Sequence, residues 1–140
     1  MDLGVGLAFR VTLWTAVAFC LVLGPKSGVA EEPVPTISPT DLYEQTKTGA
    51  GPLILDVRTP VEFRSGHIPG ARNIPHTELA SRLEDVRSDQ GVVLYCMMGP
   101  RARLGEKTLI EAGIPRVLHL DGGLAAWRQS GLPIERSTAE

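Results

Sequence analysis

The stretch GVVLYCMMGPR, residues 91–101, carries the strongest structural signal in this 140-residue sequence. Residues 91–95 are apolar throughout, which is typical of a strand buried on both faces of a parallel sheet. Cys96 ends this strand, and a loop containing glycine follows it. Pro100 suits the first turn of a helix, because a backbone N–H at that position has no helical partner in any case. The stretch therefore predicts a strand, a loop and a helix over residues 101–112, with a thiol at the carboxyl end of the strand.

Strands alternate with helices along the rest of the chain. Residues 53–57 form a second continuous apolar run, and residues 71–74 and 117–120 are shorter strand candidates. Further helices are predicted around these strands, over residues 41–45, 60–67, 77–86 and 124–129. This alternation predicts an α/β fold in which helices cover both faces of a parallel sheet. Such sheets bind ligands beyond the carboxyl ends of their strands, where Asp56 and Cys96 both lie.

Size and composition narrow the classes of protein to consider. The length allows one domain with one core. Hydrophobic residues make up 43% of the chain and charged residues 21%, as in an ordinary globular protein. The formal net charge is -2. No basic face is indicated, so we expect no nucleic-acid partner.

The first thirty residues have the pattern of a processing segment. The uncharged stretch at residues 11–23 is too short to span a bilayer as a helix and matches the apolar region of a signal peptide. Small residues then precede a favourable cleavage point after Ala30. We therefore predict a signal peptide at residues 1–30 and an exported protein, periplasmic or extracellular. An uncleaved membrane anchor is the alternative, and only in that case is the membrane a partner.

Cleavage would leave a flexible lead-in at residues 31–36 and a domain at residues 37–136. It would also remove Cys20, so that the mature chain keeps Cys96 as its one cysteine. An unpaired thiol is unusual in an oxidising compartment. Such a thiol is either a small buried hydrophobe or a reactive group.

The surroundings of Cys96 favour a reactive thiol. The helix that follows presents free backbone N–H groups and the positive end of its dipole to the strand end. Loop amides can add to this anion-binding site, and Gly99 permits close approach of the backbone. Arg101, at the start of the helix, can make a charge-assisted contact with the same anion. These groups favour a thiolate, and equally a persulfide anion or the oxygens of a sulfonate.

Three blocks of the sequence resemble the rhodanese homology domain. DVRTPVEFRSGHIPGARNIP at residues 56–75 is similar to the family's N-terminal signature, and CMMGPR at residues 96–101 is similar to its active-site loop. DGGLAAW at residues 121–127 resembles its C-terminal signature. The blocks occur in the family's order, and the resemblance spans about residues 34–135. It implies a three-layer rhodanese-like fold with about five parallel strands, and sulfurtransferase activity.

The resemblance also implies a reaction in two displacements. Cys96 would take sulfane sulfur from a donor such as thiosulfate or an organic persulfide, and pass it to a thiol or cyanide acceptor. Arg101 would stabilise the anion, and Asp56 would orient the loop or a basic partner through hydrogen bonds. The residues expected to contact substrate are the rest of the loop and one arginine of the first block: Met97, Met98, Gly99, Pro100 and Arg58. A structural role is the alternative for Arg58, and no cofactor is expected.

The loop departs from the family's pattern at one point. Active members commonly carry a cationic or polar residue after the cysteine, whereas this sequence has Met97 and Met98. Fewer cations attract the thiosulfate dianion less strongly. An apolar entrance would suit an organic persulfide, a protein thiol or glutathione persulfide. The alternative is that both methionines pack over neighbouring loops.

Other residues that invite a functional role have simpler interpretations. His67 is expected to be a hydrogen-bonded turn residue rather than a base. His76 and His119 lack metal-ligand spacing to each other or to the cysteine, so no metal site is predicted, and His119 is expected to be structural. Trp127 is expected in the core, and residues 122–123 form a turn rather than a phosphate loop.

Three other functions compete with sulfur transfer. A phosphatase or arsenate reductase also uses a cysteine loop followed by arginine, but only four residues separate Cys96 from Arg101, which is short for cradling a tetrahedral oxyanion. A non-catalytic binding module of the same fold is disfavoured by the intact cysteine, glycine and arginine. A redox thiol protein would be expected to use a Cys-x-x-Cys pair, whereas residue 99 is glycine.

Overall fold

The apolar runs of the sequence become neighbouring strands in the computed structural model, which describes residues 33–137. The strands are β1 (Thr36–Ile37), β2 (Leu53–Asp56), β3 (Arg72–Asn73), β4 (Val92–Tyr95) and β5 (Val117–Leu120). All their pairings are parallel, in the spatial order β1-β5-β4-β2-β3. The helices are α1 (Pro39–Lys47), α2 (Pro60–Ser65), α3 (Pro100–Glu111) and α4 (Gly123–Gln129). The predicted α/β fold and its five-stranded parallel sheet are confirmed.

The sheet separates two apolar cores, because successive side chains of a strand point to opposite faces. One core joins alternate residues of β2 and β4 to α3, through Leu55, Val57, Leu94, Cys96, Ala102 and Leu109. The other joins the remaining positions to α1 and α4, through Ile54, Val93, Tyr95, Leu42, Leu124 and Trp127. Trp127 is therefore a core residue, as predicted. The alternation also places the side chains of Asp56 and Cys96 on opposite faces of the sheet.

Local hydrogen bonds set where the first two helices begin. The hydroxyl of Ser38 accepts a hydrogen bond from the amide of Asp41 at 3.1 Å. At α2, the amide of Glu62 donates to the hydroxyl of Thr59 at 3.3 Å, and the amide of Thr59 donates to the carboxylate of Glu62 at 3.1 Å. This reciprocal pair is a capping box, and it holds Glu62 in the first turn of α2.

The helix predicted over residues 77–86 is wrong. The structure has two short 3₁₀ helices there, Leu79–Ser81 and Leu83–Val86, separated by Arg82 at φ -127° and ψ 30°. The hydroxyl of Ser81 donates to the carbonyl of Glu78 at 2.8 Å, a local bond that competes with helical hydrogen bonding. Leu79 and Val86 are nevertheless fully buried. The apolar spacing therefore predicts correctly that Leu79 and Val86 are buried, but the single helix that it predicts is two short 3₁₀ helices.

The flexible lead-in predicted at residues 31–36 ends too late in the sequence, because residue 36 already belongs to a strand. Thr36 belongs to β1, where it lies opposite His119 of β5, and the carbonyl of Pro35 accepts a hydrogen bond from the amide of His119 at 2.9 Å. Proline is tolerated here because β1 is an edge strand, whose outer N–H groups need no partner in the sheet. The signal peptide predicted at residues 1–30 lies outside the described residues. Within the described range, no helix is long and apolar enough to cross a membrane.

Candidate active site

Cys96 follows the last residue of β4, the central strand of the sheet, and its thiol is held at the amino end of α3. The side chain is 1% exposed. The amide of Gly99 donates a hydrogen bond to Sγ at 3.0 Å. The first bond of the α3 region runs from the amide of Arg103 to the carbonyl of Gly99 at 3.0 Å, so the amides of Arg101 and Ala102 have no acceptor within the helix. The sulfur therefore accepts one backbone N–H and lies at the end of a helix whose first amides have no intrahelical acceptor, an arrangement that can stabilise an anion.

Two carbonyls of the loop are hydrogen-bonded to amides of α4. The amide of Leu124 donates to the carbonyl of Cys96 at 2.9 Å, and the amide of Ala125 donates to the carbonyl of Met97 at 3.0 Å. Gly123 makes this approach possible, because a Cβ there would lie 2.7 Å and 2.8 Å from those two carbonyl oxygens. The turn at residues 122–123 thus orients the active-site loop.

We expect Gly123→Ala to lower the rate of Cys96 alkylation by iodoacetamide at least about tenfold, because the new Cβ must displace the backbone that aims the loop amides. The matched control is Gly131→Ala. Both glycines have positive φ, +58° and +68°, but nothing lies within 4 Å of a Cβ at Gly131. The control should cost about 1 kcal/mol of unfolding free energy and leave the rate unchanged. An equal loss of Cys96 reactivity in both variants would contradict this role of Gly123.

Arg101 lies at the loop as predicted, but it is paired. Its Nη1 and Nη2 donate to the two carboxylate oxygens of Glu62 at 2.7 Å and 2.8 Å. The hydrogen bond from Arg101 is the main cause that lowers the pKa of Glu62 to about 2. The pKa of Arg101 is raised, chiefly by this bond and to a smaller extent by interaction with Cys96. A guanidinium has five N–H donors, so this pair leaves others for an anion at the sulfur.

Asp56 and Arg58 form a buried ion pair away from the thiol. The side chains are 0% and 1% exposed. The Nε of Arg58 donates to Oδ1 of Asp56 at 3.0 Å and its Nη2 donates to Oδ2 at 2.6 Å, while Nη2 also donates to the carbonyl of Gly66 at 2.8 Å. The basic partner expected for Asp56 is thus Arg58. The substrate contact expected of Arg58 finds no support, because its guanidinium is enclosed and committed to protein acceptors.

The two methionines of the loop have different environments. Met98 is 74% exposed. Met97 is half-buried and packs against the core that contains Trp127. Pro100 is exposed, whereas Gly99, in the same loop, is buried. Met98 and Pro100 are therefore the predicted substrate contacts that face solvent at the mouth of the site.

The histidines make local contacts. The Nδ1 of His67 is hydrogen-bonded to the carbonyl of Phe63 at 2.8 Å, and the ring stacks on Phe63, as expected for a turn residue. His119 is 4% exposed and its Nδ1 is hydrogen-bonded to Glu106, which is 2% exposed. Among the residues that the structure describes, no three His, Cys, Asp or Glu side chains form a group that could hold a metal ion.

An open cleft of about 670 Å³ lies at the other end of the sheet. Leu53, at the start of β2, lines it together with Arg72 and Arg87. Because the strands are parallel, Leu53 at the start of β2 lies at the opposite end of the sheet from Cys96. No residue of the active-site loop lines the cleft. It takes no part in the site.

Three residues of this site were missed by sequence reasoning. Glu62 was visible only as a capping-box acid, since the pattern Thr-x-x-Glu signals a helix start and not a distant partner. Gly123 was assigned only to a turn. Glu106 carried no signal, because a glutamate within a helix is ordinarily a solvated surface residue.

Known proteins with similar sequences include some that are named as sulfurtransferases. The sequence model of the rhodanese-like domain family matches residues 38–130 of this chain. A sulfurtransferase from Allochromatium vinosum is 40% identical over 82 residues, covering 59% of this chain and 77% of that protein. Thiosulfate sulfurtransferase 16, chloroplastic, from Arabidopsis thaliana is 36% identical over 96 residues, covering 60% of this chain and 80% of that protein.

A solved structure has the same fold. The crystal structure of a rhodanese-related protein from Thermoplasma volcanium matches with a TM-score of 0.66 at 29% identity, covering 74% of this chain and 99% of that chain. Some relatives are longer, and the chain spans 50% to 59% of the length of three of them. The family model covers more than half of this sequence and the solved relative repeats its sheet, so the chain belongs to the rhodanese-like domain family.

Proposed function

We propose that this protein is a sulfurtransferase that carries sulfane sulfur as a persulfide on Cys96. The observation that carries the proposal is the hydrogen bond from the amide of Gly99 to Sγ, at the amino end of α3. A thiolate and a persulfide are both anions, and both gain from backbone donors and from the positive end of a helix dipole. Relatives named as sulfurtransferases support the same chemistry.

The reaction would proceed in two balanced steps. The Cys96 thiolate attacks the outer sulfur of thiosulfate, a new S–S bond forms, and the S–S bond of thiosulfate breaks to release sulfite with its electron pair. Cyanide or an acceptor thiolate then attacks the outer sulfur of the persulfide and leaves with it, which restores the Cys96 thiolate. The amide of Gly99 stabilises the negative charge at the sulfur in each state, and Arg101 adds a cation at the mouth of the site.

The test is direct detection of the intermediate. Purified full-length protein is treated with thiosulfate or with glutathione persulfide, and the peptide that contains Cys96 is analysed by mass spectrometry. We expect this peptide to gain the mass of one sulfur atom, and cyanide to remove it with release of thiocyanate. A folded protein that takes up sulfur from neither donor would contradict the proposal and favour a non-catalytic binding module.

The exposed position of Met98 favours an organic persulfide or a thiol over an inorganic dianion. We expect Met98→Arg to lower the KM for thiosulfate about two- to fivefold, because it adds a cation at the mouth of the site. Ile110→Arg is the matched control, since Ile110 is also exposed and lies near the far end of α3. The control should leave KM unchanged, and the gain should fade at high ionic strength. An unchanged or higher KM in Met98→Arg would refute this interpretation of the loop.

We further propose that the protein acts outside the cytoplasm, after removal of residues 1–30. The apolar stretch at residues 11–23 and the small residues before position 31 support this. The mass of the protein recovered from the exported fraction tests it. A chain that keeps residues 1–30 and sediments with membranes would indicate an anchor instead.

A further inference from the structure

A buried histidine and glutamate lie beneath the active-site loop, and the sulfur chemistry described above makes no use of them. Glu106 comes from α3 and His119 from β5, and the side chains are 2% and 4% exposed. The Nδ1 of His119 is hydrogen-bonded to Oε1 of Glu106. Burying two ionisable side chains costs free energy that apolar residues of the same volume would not, so mere filling of the core does not explain the pair.

The far edge of this imidazole faces the loop. A Cβ built on Gly99 would lie 3.5 Å from Nε2 and 3.6 Å from Cε1 of His119, so the imidazole lies about one side-chain carbon away from the Gly99 backbone. Gly99 has a φ of +120°, a conformation that residues with a side chain rarely adopt and that glycine allows. The same residue supplies the N–H that donates to the sulfur of Cys96 at 3.0 Å. The imidazole thus lies close to the residue whose N–H donates to Sγ.

The pairing of β5 with β4 explains why His119 lies near the active-site loop. His119 lies opposite Leu94 of β4, so it shares the face of the sheet that carries Leu94 and Cys96. The elements packed against it bring few titratable groups. Helix α3 brings Glu106, β4 leads to Cys96, and Thr36 of the paired strand β1 carries no titratable side chain.

We propose that Glu106 and His119 are positioning residues for the sulfur transfer proposed above. Glu106 fixes the orientation of the imidazole, and the imidazole supports Gly99 from beneath, so that its N–H stays aimed at the sulfur of Cys96. The pair acts through this hydrogen bond on the thiolate and then on the persulfide, and it touches neither donor nor acceptor. This inference rests on the proposed function for its role in turnover.

The test measures the reactivity of Cys96 in four variants. In His119→Ala and Glu106→Ala, the pH midpoint of Cys96 alkylation by iodoacetamide should rise by about 0.5 to 1 unit, because the thiolate loses a well-aimed hydrogen bond. The kcat for thiosulfate should fall about three- to tenfold with little change in KM. Glu106→Gln should stay near wild type, since its side-chain oxygen still accepts the hydrogen bond from Nδ1.

Val117→Ala is the matched control, since Val117 is also buried on β5 and faces the same core without touching the loop. It should lose stability without any change in the alkylation midpoint. Midpoints in His119→Ala and Glu106→Ala that equal the Val117→Ala value would overturn the proposal. If His119→Ala does not fold, the comparison of Glu106→Ala with Glu106→Gln decides. Alkylation needs no sulfur donor, so it tests the pair even if the wild-type protein takes up no sulfur.

Discussion

Cys96→Ser should produce no thiocyanate above the protein-free rate, a loss of at least about 1000-fold. A serine hydroxyl is hardly ionised near neutral pH and cannot carry sulfur as a persulfide. The fold should survive, because the serine oxygen can accept the same hydrogen bond from the amide of Gly99. We therefore expect a Tm within about 3 °C of wild type. Thiocyanate colorimetry and thermal unfolding measure the two quantities.

The sequence supplies a matched control for this variant, because the chain contains two cysteines. Cys20→Ser, compared with wild type in the chain that still carries residues 1–30, removes the other thiol and should keep full activity. Turnover in Cys96→Ser, or its loss in Cys20→Ser, would show that the sulfur carrier has been assigned to the wrong residue.

The second large effect is on stability, and it concerns the buried ion pair of Asp56 and Arg58. Asp56→Ala should lower the free energy of unfolding by about 3–5 kcal/mol. The substitution leaves the guanidinium 1% exposed with the carbonyl of Gly66 as a remaining acceptor. A buried charge without its counter-ion is costly, and the backbone bond from Arg58 to Asp56 at 3.0 Å is lost as well. Urea denaturation measures the change.

Glu44→Ala is the control for that prediction. Glu44 also accepts a hydrogen bond from a cation, Lys47 at 2.7 Å, but the two side chains are 69% and 50% exposed. Solvent screens such a pair, so we expect little or no loss of stability. Losses of equal size in the two variants would mean that burial of the Asp56–Arg58 pair is not what makes it costly to break.

Much of the site could be predicted because it is local in sequence. Cys96, Gly99 and Arg101 lie within six residues, at the junction of an apolar strand and a helix, and that junction alone predicts a thiol among backbone donors. The partners of this loop are not local. Glu62 lies 39 residues from Arg101, and Gly123 approaches the loop from the next strand–helix turn.

Local sequence patterns were enough to predict the class of the fold, the position of the thiol and the order of the main strands and helices. These depend on hydrophobic runs and on turn residues, which act over a few neighbouring positions. The three-dimensional arrangement alone turns Asp56 away from Cys96, pairs Arg101 with Glu62 and brings His119 close to Gly99. Those relations arise from strand register and helix packing, which bring distant residues together and which no local pattern records.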